Sequence, residues 1–304
     1  MRVRPHNERW NFEAPDLVLG EFRCLPGDPA WDRTNRTGDW GPLIAFPRTS
    51  VGIAQEGRGD LVADPSLAVL YRAGQPYRRA LLSAEGDRCS FIGISPTLAA
   101  EVAAGLDPHA DDPGAFRFPF AAAPIDSHAY LLHHETRRRV LLGNRDPDEI
   151  RELLYGVLGR VVTAGYSARR ATPRRERPAT LLAHREVVDA TRAALLSAEP
   201  GARMSLDDLA RTVHQSPFHL SRLFRAQTGL TIHAYRMEIR LRTSLERLAD
   251  GDSVADIALD LGFSSQAHLT DRFRRSFGIT PHLWRASLHR RDRLEMRKNV
   301  KASA

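Results

Sequence analysis

Two short segments in the C-terminal part of the chain carry side chains that could bind nucleic acid. Arginine and glutamine hydrogen-bond to base edges, and arginine also pairs with phosphate. The first segment offers Phe218, His219, Ser221, Arg222 and Arg225. The second offers Ser265, Gln266, Ala267, His268, Thr270, Arg274 and Arg275. Apolar residues at helical spacing separate the members of each set, which predicts two helices with these side chains on their outer faces.

The two segments belong to two copies of one unit, Leu206–Arg236 and Val254–Arg285. In the second half of each copy, an offset of 49 residues aligns equivalent positions, for example His219 with His268. The first helices align at an offset of 48, so the second copy has one more residue in its internal turn. Self-similarity of this kind indicates a duplicated supersecondary unit.

Each copy has the sequence pattern of a helix-turn-helix. In the first, Ser205 is placed to cap a short helix, and Ser216 followed by Pro217 begins a second helix. Gly229 is placed to end that second helix. The second copy repeats the pattern. The residues predicted to face inward from the two second helices are Leu220, Leu223 and Phe224, and Leu269, Phe273 and Phe277.

An amphipathic helix, Ile232–Leu248, is predicted between the two copies. Its 17 residues span about 26 Å at 1.5 Å per residue. Successive major grooves on one face of DNA are about 34 Å apart. With the depth of side chains added, such a spacer suits two helices that enter neighbouring grooves.

Positive charge is concentrated in the same region. Residues 1–178 carry 24 basic and 23 acidic side chains, whereas residues 179–304 carry 20 and 14. A positive excess on a duplicated helix-turn-helix is expected if that region contacts a polyanion.

The N-terminal part predicts a β sandwich or barrel. Between Leu17 and Ser95, short apolar runs alternate with turn signals such as PGDP, EGRGD and AEGD. The predicted strands are LVLGEFRC, LIAFP, SVGIAQ, LAVLYRA, YRRALLS and CSFIGIS. Residues 1–16 are interpreted as an arm.

Helices are predicted after the strands, at Asp126–Leu142 and Asp148–Val162. The second has an apolar stripe from Ile150 to Val161, for which we hypothesise a role in dimerisation as well as in the core. An arginine- and proline-rich stretch without apolar period is interpreted as a linker. The predicted division is a β domain at 1–123, a helical dimerisation segment at 124–166, a linker at 167–180, a helical domain at 181–290 and a basic tail at 291–304.

The C-terminal third resembles the DNA-binding domain of AraC/XylS-type transcriptional regulators. The string DIALDLGFSSQAHLTDRFRRSFGITPHLWR, Asp256–Arg285, carries the family's Gly-Phe turn, its Phe-Gly helix end and its Thr-Pro close. The N-terminal part resembles, more loosely, the cupin-like sensor of such regulators. The resemblance implies an α+β two-domain regulator, not an enzyme. The implied partners are double-stranded DNA, a small-molecule effector, a second copy in a homodimer and RNA polymerase.

The resemblance also implies roles for the outer faces. Phe218, Ser221 and Arg222 occupy base-facing positions, and Arg225 is expected to hold phosphate. In the second copy Gln266 could bind adenine. Asp271 departs from the family, because a basic residue is frequent there. The first helix is therefore expected to read more of the sequence than the second.

The chemistry of the N-terminal part is less defined. No histidine occurs between His6 and His109, so the predicted strands cannot supply a histidine-ligated metal site, and we predict no metal and no cofactor. This argues against a cupin-type enzyme fused to a DNA-binding domain, which stays an alternative. The candidate effector-binding residues are Arg48, Tyr71, Gln75, Tyr77 and Arg79.

A further alternative is a metal or redox sensor built on Cys24 and Cys89, with His128, His133 or His134. Two buried, inert thiols are the favoured interpretation. No apolar run approaches the roughly 18 residues of a membrane span, and the N-terminus lacks the apolar segment of a signal peptide. The sequence therefore predicts a cytoplasmic protein.

Overall fold

The computed structural model describes residues 8–114, 116–143, 146–171, 178–198 and 204–287. Ten strands make up the β region of this part. They are β1 (Glu8–Glu13), β2 (Leu17–Cys24), β3 (Asn35–Arg36), β4 (Leu43–Pro47), β5 (Val51–Gln55), β6 (Gly59–Ala63), β7 (Leu67–Tyr71), β8 (Pro76–Leu81), β9 (Asp87–Ile94) and β10 (Ala122–Pro124).

The strands form a sandwich of two antiparallel sheets, which confirms the predicted β architecture. The larger sheet has the order β1-β2-β9-β4-β7-β10, and the smaller has the order β3-β8-β5-β6. All six predicted strands are present within one or two residues of their expected bounds. The predicted arm is wrong for Glu8–Glu13, because this segment pairs with β2 as an edge strand. Residues 1–7 lie outside the described part.

Ten α-helices follow or interrupt the strands in the described part of the chain. They are α1 (Pro96–Ala103), α2 (Ser127–Leu141), α3 (Pro147–Ala171), α4 (Pro178–Ser197), α5 (Leu206–Thr212), α6 (Pro217–Thr228), α7 (Ile232–Asp250), α8 (Val254–Asp260), α9 (Gln266–Phe277) and α10 (281–287). Helices α1 to α3 cover the outer face of the larger sheet. Among the described helices, none has an apolar stretch that would span a lipid bilayer.

The predicted linker at 167–180 is shortened from both sides. Helix α3 continues to Ala171, and α4 already begins at Pro178. Residues 172–177 are outside the described part. The extension of α3 is held by tertiary contacts: the Tyr166 hydroxyl donates to Asp107 at 2.7 Å, and Arg169 donates to the Pro119 carbonyl at 2.9 Å. These partners lie far away in sequence, so composition alone could not reveal them.

The apolar stripe of α3 is core in this structure. Ile150, Leu154, Val157, Leu158 and Val161 are each at most 1% exposed, and they pack under the larger sheet and α2. These five side chains are therefore not available to a partner chain while they are packed in this way. Leu153, which also belongs to the predicted stripe, is half-buried, and dimerisation through this segment stays a prediction.

The predicted caps of the two repeats are present. Ser205 and Asp208 form a reciprocal capping box at α5, and Ser216 accepts from the His219 amide at the start of α6. Gly229 and Gly278 end α6 and α9 with φ of 75°. Such a left-handed ending is readily adopted by glycine. The helix starts and ends predicted from the helix-turn-helix pattern are thus confirmed.

The aligned arginines Arg236 and Arg285 close their own repeats. Arg236 donates to the Met204 carbonyl at 2.9 Å, and Arg285 donates to the Asp252 carbonyl. Each acceptor directly precedes the serine that caps the first helix of the unit. Each arginine therefore ties the end of its unit to its beginning.

The central helix α7 is docked against the β sandwich through buried polar side chains. Arg242 is 2% exposed and donates to the Pro65 carbonyl and, at 2.6 Å, to the Ile125 carbonyl. Tyr235 donates to the fully buried Asp64 at 2.7 Å. Because buried carbonyls without a partner are costly, these contacts specify one docking position.

Glu246 anchors the next turn of α7. Its carboxylate contacts the Arg48 guanidinium, the Tyr130 hydroxyl at 3.3 Å and His134 Nε2 at 3.4 Å. Burial opposes ionisation of Glu246, but its interactions with His134, Arg48 and Arg137 outweigh burial and lower its pKa to about 2. The sequence predicts that Arg48 binds an effector, whereas the structure places it at this contact between the β region and α7.

Removal of the Arg242 guanidinium should loosen the docking. We expect Arg242→Met to lower the free energy of unfolding by about 3 kcal/mol, because two buried carbonyls lose their donor. In differential scanning calorimetry, the helix-turn-helix region should then unfold separately from the sandwich. Arg211→Met is the matched control, since the Arg211 side chain is 77% exposed. Equal effects of the two changes would contradict this role of Arg242.

Two buried histidines of α2 should make the folded chain less stable at acidic pH. Burial, assisted by the nearby Arg137, lowers the pKa of His133 to about 3, and burial lowers the pKa of His134 to about 4 despite Glu246 beside it. Both are neutral in the folded chain at pH 7, so the unfolded chain binds more protons below pH 6.5. The free energy of unfolding that is present above pH 6.5 should therefore fall by about 2 kcal/mol per histidine when the pH is lowered to 5.

Denaturant titrations at pH 7 and pH 5 measure this loss. His133→Phe keeps the ring that stacks on Phe46 at 3.9 Å and removes one titrating group, so it should reduce the loss by about half. An unchanged pH dependence in this variant would show that His133 does not carry the effect.

Candidate nucleic-acid interface

Helix α6 presents an unshielded outer face. Its inner residues Leu220, Leu223 and Phe224 are buried against α4, α5 and α7. On the outer side Phe218 is 79% exposed, and Arg222 and Arg225 are exposed beside it. Within the described residues, neither arginine pairs with a carboxylate. An exposed aromatic ring next to two such guanidinium groups is suited to base edges and phosphates.

Helix α9 repeats this placement with a different charge pattern. Its inner residues Leu269, Phe273 and Phe277 are buried, while Gln266 and Ala267 are exposed at its first turn. Asp271 contacts Arg275 at 3.1 Å and Arg274 at 3.8 Å. Arg274 and Arg275, both among the candidate nucleic-acid-binding residues, therefore share an acidic partner within their own helix.

Some residues predicted to face nucleic acid are engaged elsewhere. Ser265 caps α9 and accepts from the His268 amide at 3.1 Å. The His268 ring is half-buried, with Nδ1 3.1 Å from the Ser264 hydroxyl and the ring against Phe263. His219, at the equivalent position of α6, is half-buried with its ring near His184. Ser221 and Thr270 are also half-buried, so Phe218, Arg222, Arg225, Gln266 and Ala267 form the more open set.

The bridging helix sets the distance between the two outer faces. Helix α7 has 19 residues, two more than predicted, and spans about 28 Å. It contacts both α6 and α9. The spacing stays compatible with neighbouring major grooves about 34 Å apart once side-chain depth is added.

The β sandwich encloses a cavity between its two sheets, which we call the inter-sheet cavity. The space inside it that a water-sized molecule can occupy is about 40 Å³. Its lining residues are Phe22, Thr37, Leu43, Ala45, Pro47, Val51, Ile53, Ala63, Val69, Tyr71, Tyr77, Arg79, Asp87, Cys89 and Phe91.

Three of the five residues predicted to bind an effector line this cavity, namely Tyr71, Tyr77 and Arg79. Arg48 lies at the α7 contact instead. Gln75 is buried in a turn, where it donates to the Glu56 carbonyl at 3.2 Å and accepts from the Arg72 amide at 2.8 Å. The prediction of these two as lining residues is therefore wrong, because strand register cannot be read from composition.

Asp87 is the cavity residue that the sequence interpretation missed. It begins β9, directly opposite Cys24 of β2, and points towards the smaller sheet. Its Oδ2 lies 3.0 Å from Arg79 Nε of β8, so an ion pair bridges the two sheets. Burial raises the pKa of Asp87 against the attraction of Arg79. The alternation of β9 could have indicated a polar residue on the inner face, but not its partner.

The sheet separates the two cysteines from the histidines of α2. Successive residues of a strand point to opposite faces. Cys89 lines the cavity, whereas the next residue, Ser90, contacts His133 on the helical side at 3.3 Å. Burial raises the pKa of the Cys24 thiol to about 11, which disfavours the reactive thiolate.

The register also bears on a disulfide. Cys24 and Cys89 are diagonal neighbours on β2 and β9, and such pairs have Cα atoms about 7–8 Å apart, too far for a bridge of ordinary geometry. The described residues contain no group of three or more potential metal ligands. Nothing in this part of the chain therefore favours the metal or redox alternative.

Comparisons with known proteins address the helical region. Residues 209–287 match a family model described as a helix-turn-helix domain. Over 60 residues, 20% of this chain, the sequence is 47% identical to the bifunctional transcriptional activator/DNA repair enzyme Ada of Escherichia coli (strain K12). The match spans 17% of the length of that relative.

Two solved structures are also similar. A transcriptional regulator of Chromobacterium violaceum with an AraC-type DNA-binding domain is 31% identical, with 37% of this chain and 96% of that chain covered and a TM-score of 0.31. ToxT of Vibrio cholerae is 12% identical, with 89% and 98% covered and a TM-score of 0.33.

The fold and the family match together define the class of protein. The C-terminal region is a DNA-binding domain with two helix-turn-helix units. It is of the AraC type, as the motifs of its second unit imply, and it follows a β region of two sheets.

Asp271 should weaken the contribution of α9 to DNA binding. We expect Asp271→Asn to tighten binding to duplex DNA by about 1 kcal/mol at low salt and to steepen the salt dependence by about one ion, because Arg274 and Arg275 lose their acidic partner. Fluorescence anisotropy across a salt series measures both. Asp250→Asn, at the exposed end of α7, is the control with the same charge change. If both variants gave the same gain, net charge rather than the α9 pairing would explain it.

Proposed function

We propose that the protein is a sequence-specific transcriptional regulator that binds double-stranded DNA through α6 and α9. The observation that carries this proposal is the outer face of α6, where Phe218, Arg222 and Arg225 are exposed and the arginines are unpaired by acids in the described part. Helix α9, one bridging helix away, presents a second outer face, where Gln266 and Ala267 are exposed and the arginines pair with Asp271. The family match to residues 209–287 supports it.

The two helices are proposed to contribute unequally. Arg222 could bind guanine through two hydrogen bonds, and Phe218 could contact a thymine methyl group. Gln266 offers a bidentate contact to adenine on α9. Because Asp271 offsets Arg274 and Arg275, α9 is expected to position the domain and to read fewer bases.

A small-molecule effector is proposed to act through the inter-sheet cavity. Strand β6 lines this cavity with Ala63, and the next residue, Asp64, contacts the helical region. Its carboxylate accepts from Tyr235 of α7 and lies 3.8 Å from Arg192 of α4. A shift of β6 on ligand binding would therefore reach α4 and α7 directly.

Homodimerisation and contact with RNA polymerase are further parts of the proposal, implied by the family resemblance. The division into a β domain and a helical DNA-binding domain belongs to it as well. The buried residues of the α3 stripe are not available to such a dimer.

Loss of Arg222 tests the DNA-reading role. We expect Arg222→Ala to cost roughly 1–3 kcal/mol on the preferred site and to relax the base preference at one position. Binding curves on the site and on its single-base variants measure both effects. Arg78→Ala removes the same charge from an exposed position on β8, outside both helix-turn-helix units, and should leave the preference unchanged. Equal affinity and equal preference in the Arg222 variant would remove α6 from the proposed interface.

A further inference from the structure

The inter-sheet cavity contains one positive and one negative side chain among its lining residues, and they are paired with each other. Arg79 Nε lies 3.0 Å from Asp87 Oδ2, and each side chain is 5% exposed. The other lining groups are apolar side chains, two phenols, one threonine hydroxyl and one thiol. The wall therefore carries no net charge, although it contains an arginine.

The Arg79 guanidinium is also held by aromatic rings. It stacks 4.0 Å from the centre of the Phe22 ring and 4.9 Å from that of Tyr77, and it donates to the Tyr77 hydroxyl. Its Nε faces Asp87 and its Nη2 faces the Tyr77 hydroxyl, so Nη1 is the nitrogen that can donate to a ligand. The guanidinium thus keeps hydrogen-bonding capacity at its edge, but no uncompensated charge.

We propose that the inter-sheet cavity binds a small uncharged molecule, mainly aromatic or aliphatic, with one oxygen acceptor, and that Asp87 makes the cavity reject carboxylates. The acceptor would receive a hydrogen bond from Arg79, and the apolar part would fill the space between Ile53, Val69 and Phe91. This inference rests on the proposed function, because it names the class of the proposed effector.

The rejection of carboxylates follows from the pairing. A carboxylate that displaced Asp87 from Arg79 would leave Asp87 buried without its partner. A carboxylate that bound beside Asp87 would make two negative charges share one guanidinium. A buried charge without a partner is strongly unfavourable, and like charges in one site oppose ionisation. A neutral amide or hydroxyl group incurs neither cost. Asp87 is therefore the residue that determines specificity in this proposal.

An isosteric pair of probes separates the two classes. We would use 4-propylbenzamide and 4-propylbenzoate, together with their methyl and phenyl analogues, and measure binding to the full chain by calorimetry and ligand-observed NMR. The wild-type chain is expected to bind at least one amide about tenfold or more tightly than its matched carboxylate. Asp87→Asn keeps the shape of the side chain and removes its charge, so the preference is expected to reverse towards the carboxylate.

Three results would overturn the proposal: a wild-type preference for a carboxylate, an unchanged preference in Asp87→Asn, or no binding of any amide in the series. If Asp87→Asn fails to fold, the double change Arg79→Met with Asp87→Leu replaces both charges by apolar groups. Because that variant lacks the Arg79 donor, it should bind the amides more weakly than the wild type does. It should not bind the carboxylates tightly either. Carboxylate binding equal to that of the amides in this variant would contradict the role of the pair.

DNA binding of the unliganded chain is measured in parallel. Sequence-specific DNA binding without the expected probe preference would overturn only the ligand class. Probe binding with the expected preference, but without any DNA binding, would overturn the proposed regulatory function and leave the ligand class intact.

Discussion

The buried guanidinium of Arg242 is the constraint on which the arrangement of the two regions depends. It is almost fully withdrawn from water and donates to carbonyls of Pro65 and Ile125, both in the β region. A charge in this position is tolerated only with partners of fixed geometry. Helix α7 therefore has one favoured position on the sandwich, and both helix-turn-helix units are attached to α7.

The two units are anchored by different means. The core of the second unit is continuous with the core beneath the larger sheet, and Ser127 of α2 contacts Ser276 of α9 at 2.8 Å. The first unit has a core of its own and is joined to the sandwich through Asp64, which contacts Tyr235 and Arg192. Asp64 directly follows a strand of the inter-sheet cavity, so the proposed route from effector to DNA leads first to the unit that is proposed to read more bases.

The helical region could be predicted from the sequence because its helix start and stop signals act locally. Capping serines, Pro217, Gly229 and Gly278 act within a few residues, and the duplication supplied an internal check on each of them. Short apolar runs separated by turn signals likewise predicted six strands. The second helix-turn-helix motif also carried enough specific residues to indicate the AraC type before any geometry was known.

What could not be predicted depends on partners distant in sequence. The extension of α3 beyond Val162 relies on Asp107 and Pro119, and the docking of α7 relies on carbonyls more than a hundred residues away. Arg48 and Arg79 look equivalent as basic residues in a β region, yet one contacts α7 and the other lines the cavity. Only the pairing of strands and helices distinguishes them, and the same is true of Asp87.

Selection of bound duplexes from a random DNA library, with the full chain, tests the central claim most directly. The account predicts two conserved blocks with centres about 10–10.5 base pairs apart, one for each outer helix. Repetition with Gln266→Ala should alter only the less conserved block, which assigns that block to α9. A single block, no enriched sequence, or a change confined to the more conserved block would contradict the account.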